Sequence, residues 1–211
     1  MGRLPAGRRI RGHVMDLRLG DLMTLARDTV LTPREGVARL LGLNLPLEAR
    51  WLAMGAVVSL SAVMAYLANI LFPLPVETPW APITSSPLRM VVTQAAGVLF
   101  VAGAMTHVGR VFGGRGSFAD ALLLAVWMEF VLLLVQLVQV VLMAIYPLTA
   151  TFMGFFALIL FFYMLTHFTA ALHGFTSLIG VFVGVIGTLI GGALILTFVL
   201  GILGVTPPAG N

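Results

Sequence analysis

FVLLLVQLVQVVLMAIYPLTATFMGFFALILFFYMLTHFTAALHGFTSLIGVFVGVIGTLIGGALILTFVLGILGVTPPAGN, from Phe130 to Asn211, contains no Asp, Glu, Lys or Arg. A charge at the centre of a spanning helix costs about 2.5–3.5 kcal/mol, so a charge-free stretch of this length belongs in a bilayer. Charge collects at the other end, where nine of the twelve arginines precede Trp51. The two ends together predict an all-α, polytopic membrane protein with a short basic, amphipathic head.

Composition agrees. The chain has 211 residues, 60% of them apolar and only 9% charged, against about 25% charged in soluble domains, and its mean hydropathy is +1.07. A soluble fold is excluded. The sequence pI of 10.7 comes from the head, where the positive-inside rule accounts for the arginines, so nucleic acid is not an expected partner. No cysteine is present, which removes disulfides, thiolate metal sites and cysteine nucleophiles. Residues 1–14 are Arg-rich without an apolar core behind them, unlike a secretory signal, and Met15 is a second candidate start after Met1.

About 20 apolar residues span a bilayer core as helix. Five segments qualify, near 51–72, 90–112, 121–145, 149–172 and 178–203, within a membrane domain of 51–205 and a tail of 206–211. The link from Pro73 to Arg89 holds Pro73, Pro75, Pro79, Pro82 and Pro87 and predicts an extended loop with Trp80 at the interface. The link Gly113-Gly114-Arg115-Gly116-Ser117 is short and basic, and tight turns follow at Tyr146-Pro147 and at His173. Arginine counting puts the amino end in the cytoplasm and the carboxyl end outside, and basic residues that are all Arg and never Lys hint at a bacterial source and so a bacterial cytoplasmic membrane.

Residues 15–50 form the patterned head. Leu19, Leu22, Met23, Ala26 and Val30 recur at helical spacing opposite Asp21 and Asp28. Thr32-Pro33-Arg34-Glu35 predicts a capping box, with Thr32 and Glu35 exchanging hydrogen bonds around Pro33 at the first helical position. Gly42 ends that helix, and Pro46 starts another that runs into the first span. The head either lies on the membrane and orients the bundle or docks a partner.

Glu129 is the one acid inside a span, about 13 Å beyond Asp120 along the helix. Gln136 shares its face and Gln139 is near it, a polar stripe on an apolar helix. An intramembrane carboxylate is a candidate proton or cation group; the competing reading is a carboxyl bonded to a neighbouring helix, with both glutamines as interhelical bonds. The fifth segment carries Gly180, Gly184, Gly187 and Gly191 in two G-x-x-x-G steps, a device for close helix approach within the bundle or across an oligomer seam. His107, His167 and His173 lie near predicted cytoplasmic ends, where imidazole stays hydrated, and have no metal-ligand spacing. Ser59, Ser61, Thr93, Gln94, Thr166 and Thr169 read as ordinary interhelical hydrogen bonders. No catalytic, cofactor or metal motif accompanies them.

Two segments carry a family likeness: TPREGVARLLGLNLPLEARW from Thr32 to Trp51, and GGRGSFADALLLAVW from Gly113 to Trp127. With the five-span arrangement they make the chain resemble the YIP family (Yip-one domain), over roughly Leu31 to Leu203 and in its bacterial form. The resemblance implies a cytoplasmic amino end, no catalytic residues and, in eukaryotic relatives, contact with Rab-type GTPases through long heads. The head here has only about 50 residues, which argues against GTPase binding. The expected function is a non-enzymatic scaffold or accessory subunit whose partners are the lipid bilayer and other integral membrane proteins or further copies of the chain. The alternative is a small transporter or channel subunit with Glu129, Gln136 and Gln139 along its path.

Overall fold

The computed structural model describes residues 19–73, 84 and 86–202. The basic tail, both candidate starts, Trp80 with most of the proline-rich link, and residues 206–211 lie outside the described residues. Among the described residues the chain forms α1 (Leu19–Leu31), α2 (Pro33–Gly42), α3 (Leu47–Leu71), α4 (Pro87–Val111), α5 (Phe118–Ile145), α6 (Pro147–His173) and α7 (Leu178–Ile202). The last five are long and apolar enough to cross a membrane. The molecule is a polytopic all-α membrane protein, with two short helices ahead of the bundle.

Helix ends follow local chemistry. Proline opens α2, α4 and α6, where its missing N–H would have had no intrahelical partner. Ser117 caps α5, its hydroxyl accepting from the Asp120 amide at 3.1 Å. Such residues are not themselves hydrophobic, so α3, α4, α5 and α6 begin before the apolar segments that mark them. At the end of α4, Gly113 adopts φ 85°, its amide reaches the Arg110 carbonyl, and the Gly114 amide reaches the Gly109 carbonyl, each at 2.9 Å. That pair of bonds is a Schellman close, which needs a left-handed residue. Between α2 and α3 the left-handed residue is Asn44, at φ 46°.

The predicted capping box does not form. Thr32 stands before α2 with Pro33 behind it, but its side chain makes no cap bond. Only this one residue separates α1 from α2, so Thr32 behaves as the next residue of α1. Its amide donates to the Asp28 carbonyl at 2.8 Å, and its hydroxyl donates to the same oxygen at 3.1 Å. No amide hydrogen is left for Glu35, which is exposed.

α5 is the hub. Ala121 through Met128 are all buried, and 56% of its apolar window lies inside the protein against 11% for α7. It packs against α3, α4 and α6, while α7 rests mainly on α6 and touches α4 lightly. α2 lies against α6 and α5, so the head is docked on the bundle. At the fold between α1 and α2, a Cβ on Gly36 would sit 2.6 Å from the Thr29 Cα, so only glycine fits there.

Candidate functional site

The end of the bundle that carries the head is tied by two long-range polar clusters. In the first, Arg50 at the start of α3 donates through Nε to the Leu45 carbonyl at 2.9 Å and through Nη1 to Asp120 Oδ1 at 2.7 Å. The Ser117 hydroxyl donates to Asp120 Oδ2 at 2.6 Å. The Arg50 side chain is 9% exposed and that of Asp120 35%, so the ion pair is partly dry and loss of either partner would leave a poorly hydrated charge without its counter-ion. Ser117 is not a nucleophile beside a base. Its oxygen accepts the Asp120 amide while its proton goes to a carboxylate already paired with arginine.

In the second, His173 at the end of α6 is buried, contrary to the expectation of a hydrated imidazole. Nδ1 accepts from the Gly116 amide at 3.0 Å, which leaves the ring proton on Nε2, 2.7 Å from the Met105 carbonyl. The ring is also stacked on Phe175, with centroids 5.4 Å apart. A Cβ on Gly109 or Gly114 would collide with the imidazole, and one on Gly116 with Leu172 and the ring. The basic link Gly113-Gly114-Arg115 is therefore glycine-rich for two reasons: Gly113 turns the chain, and Gly114 makes room for His173. Arg115 is exposed.

The head is held by a third set of bonds. The Trp127 indole donates to the Thr29 hydroxyl at 3.0 Å, and that hydroxyl donates to the Ala26 carbonyl at 2.8 Å. The Tyr163 hydroxyl donates to the Val30 carbonyl at 3.1 Å, and Arg34 reaches the Phe175 carbonyl at 3.4 Å. Thr29 and Trp127 are both buried. The face of α1 that periodicity reads as amphipathic rests on the protein, not on lipid alone.

Deeper in the bundle, Glu129 accepts from Gln94 Nε2 on α4 at 2.7 Å. Ser61 on α3 is fully buried beside the same carboxylate. Gln139 donates instead to the Ala150 carbonyl on α6 at 3.2 Å, and Gln136 is half-buried between them. The expected stripe is thus divided between two neighbours, α4 at Glu129 and α6 at Gln139, ten residues further along α5. Two of the expected interhelical hydrogen bonders, Thr166 and Thr169, have buried hydroxyls without partners among the described residues.

The glycines of α7 are largely unused inside the chain. A Cβ on Gly184, Gly187 or Gly191 would meet nothing within 4 Å, and one on Gly180 would meet only Ser177 of its own cap, at 3.2 Å. Gly192 alone is in tight contact across helices, where a Cβ would lie 2.9 Å from Phe100. Among the described residues no group of three His, Cys, Asp or Glu side chains could hold a metal ion.

Sequence reading missed the parts played by Arg50, Asp120, Gly109, Thr29 and Trp127, and read His173 as hydrated where it is buried. Ser117-x-x-Asp120 is a readable helix start, but nothing local announces that His173 meets a glycine 57 positions earlier. No match is found among curated proteins or among solved structures. The Yip1 domain matches residues 27–200, which takes in the end of α1, all of α2, both polar clusters and nearly all of the five long helices. The chain belongs to the Yip1 domain family.

Proposed function

We propose that this protein is a non-enzymatic membrane scaffold or accessory subunit that associates laterally through α7. The observation that carries the reading is the open glycine face: Gly184, Gly187 and Gly191 have free space where a Cβ would be, on a helix only 11% buried in its apolar window. Lipid tails supply no hydrophobic drive between helices, so close approach at small residues is how such a face gains energy. The partner is another integral membrane protein or a second copy, with the head in the cytoplasm. Gly184→Leu and Gly191→Leu test it, because neither leucine meets a neighbour at its Cβ. Native mass spectrometry of mildly extracted complexes should show loss of the assembly with the folded monomer kept; an unchanged assembly would refute the seam.

Transport is the second reading, and the Glu129–Gln94 bond favours it as far as it goes. A path needs continuity, whereas Gln139 turns to α6. Glu129→Gln keeps shape and one acceptor, so in proteoliposomes it should leave ion flux at the level of empty vesicles, as in the parent protein. Flux present in the parent and absent in the variant would install the transport reading instead.

A further inference from the structure

α7 leans on α6 and stands off α4, and the gap between α4 and α7 is a groove of about 380 Å³. Its floor includes Leu165 and Thr169 of α6. Toward the far side of the membrane it closes where Phe100 meets Gly192; toward the head it runs past Gly109 and Phe112 to Thr176 and Ser177. Phe100, Phe112, Ser177 and Gly180 on its rim are exposed, so it opens sideways, where the bilayer lies.

Size decides the occupant. From Phe100 to Phe112 the groove follows α4 for about 18 Å at 1.5 Å per residue, and its lining over that length is mostly apolar. It has the length of one extended hydrocarbon chain, and it takes in Gly180 and Gly184 of the glycine face while Gly187 and Gly191 lie outside it.

Polar groups occur where a lipid's own polar atoms would fall. Thr169 is 7% exposed and one turn before the end of α6, and its buried hydroxyl has no partner among the described residues. At the mouth, the Ser177 hydroxyl caps α7 by accepting the Gly180 amide at 3.1 Å, and helix amino ends favour anions. Arg34 is bonded to the Phe175 carbonyl at 3.4 Å, next to Thr176. No Asp or Glu occurs on α4, on α7 or in the turn before α7.

We propose that this groove binds one acyl chain of an anionic glycerophospholipid from the leaflet on the head side, with an ester carbonyl at Thr169 and the phosphate at the Ser177–Arg34 mouth. The test uses the full-length protein in nanodiscs of phosphatidylcholine doped with phosphatidylglycerol that carries a diazirine in its acyl chain. Photolabel should concentrate on groove residues of α4 and α7, and excess unlabelled phosphatidylglycerol should displace it where phosphatidylcholine does not. Ala104→Phe, which fills the groove from α4, should abolish the label, and Thr169→Val should raise the competitor concentration needed about two- to tenfold. Label spread evenly over the outer faces of α3, α6 and α7 would overturn the proposal, as would equal displacement by both lipids or capture of the groove by another polypeptide. The wild-type label map decides the matter even if Ala104→Phe does not fold.

Discussion

His173 shows how a single side chain fixes a loop it does not belong to. Its two ring nitrogens engage the Gly116 amide and the Met105 carbonyl, and the space for the ring exists because Gly109 and Gly114 have no Cβ. Gly114→Ala should therefore overpack the site and cost about 1–3 kcal/mol. His173→Ala should cost about 1–3 kcal/mol by leaving the buried Gly116 amide without its acceptor. The double variant should be less damaged than the sum by about 1 kcal/mol or more, since the alanine at 114 then fills space the ring has vacated. Denaturation in detergent micelles, followed by Trp fluorescence across the four proteins, measures that coupling. Simple additivity would mean that ring and glycine do not share a space.

Among the elements, the head helix makes the sharpest claim, since α1 can either rest on lipid or dock on protein. Thr29 separates the cases. Thr29→Val keeps the shape but leaves the buried Trp127 N–H without its acceptor, a loss of about 1–3 kcal/mol. Where α1 opens independently, hydrogen exchange of its amides should accelerate about 5- to 150-fold while α5 keeps its protection. Unchanged exchange would show that the indole bond does not hold the head. The long helices were legible because exclusion of charge from a bilayer acts on every residue of a span and leaves a signal many residues long. The amphipathic period of α1 was legible because burial of one face recurs at every turn, though not what that face meets. The capping box failed because the motif specifies a helix start and not what precedes it, and here α1 runs into Thr32. The Arg50–Asp120 pair and the His173 cradle were illegible because they join residues 70 and 57 positions apart. Tertiary packing decides those, and local pattern carries no trace of it.

At the scale of the whole molecule, the fold supplies what charge counting could not. Arginine assigns the head and the Arg110–Arg115 link to one side, but the turns at Tyr146 and His173 have no Lys, Arg, Asp or Glu to place them. Two bonds place the second turn: His173 receives the Gly116 amide, and Arg34 of the head reaches the Phe175 carbonyl. Head, basic link and α6–α7 turn therefore share one end of the bundle, and the α5–α6 turn at Tyr146 lies at the other. Because the chain has no cysteine, single-cysteine variants read this arrangement without background. Glu48, Arg115, Thr176 and Tyr146 are all exposed. In right-side-out vesicles an impermeant maleimide should label Tyr146→Cys at once, and the Glu48→Cys, Arg115→Cys and Thr176→Cys variants only after permeabilisation. The reverse pattern, with the same three variants still grouped, would keep the fold and invert the orientation drawn from the arginines. If Thr176→Cys instead labels with Tyr146→Cys, then α6 and α7 do not cross as separate spans, and the groove between α4 and α7 loses its place in the leaflet on the head side.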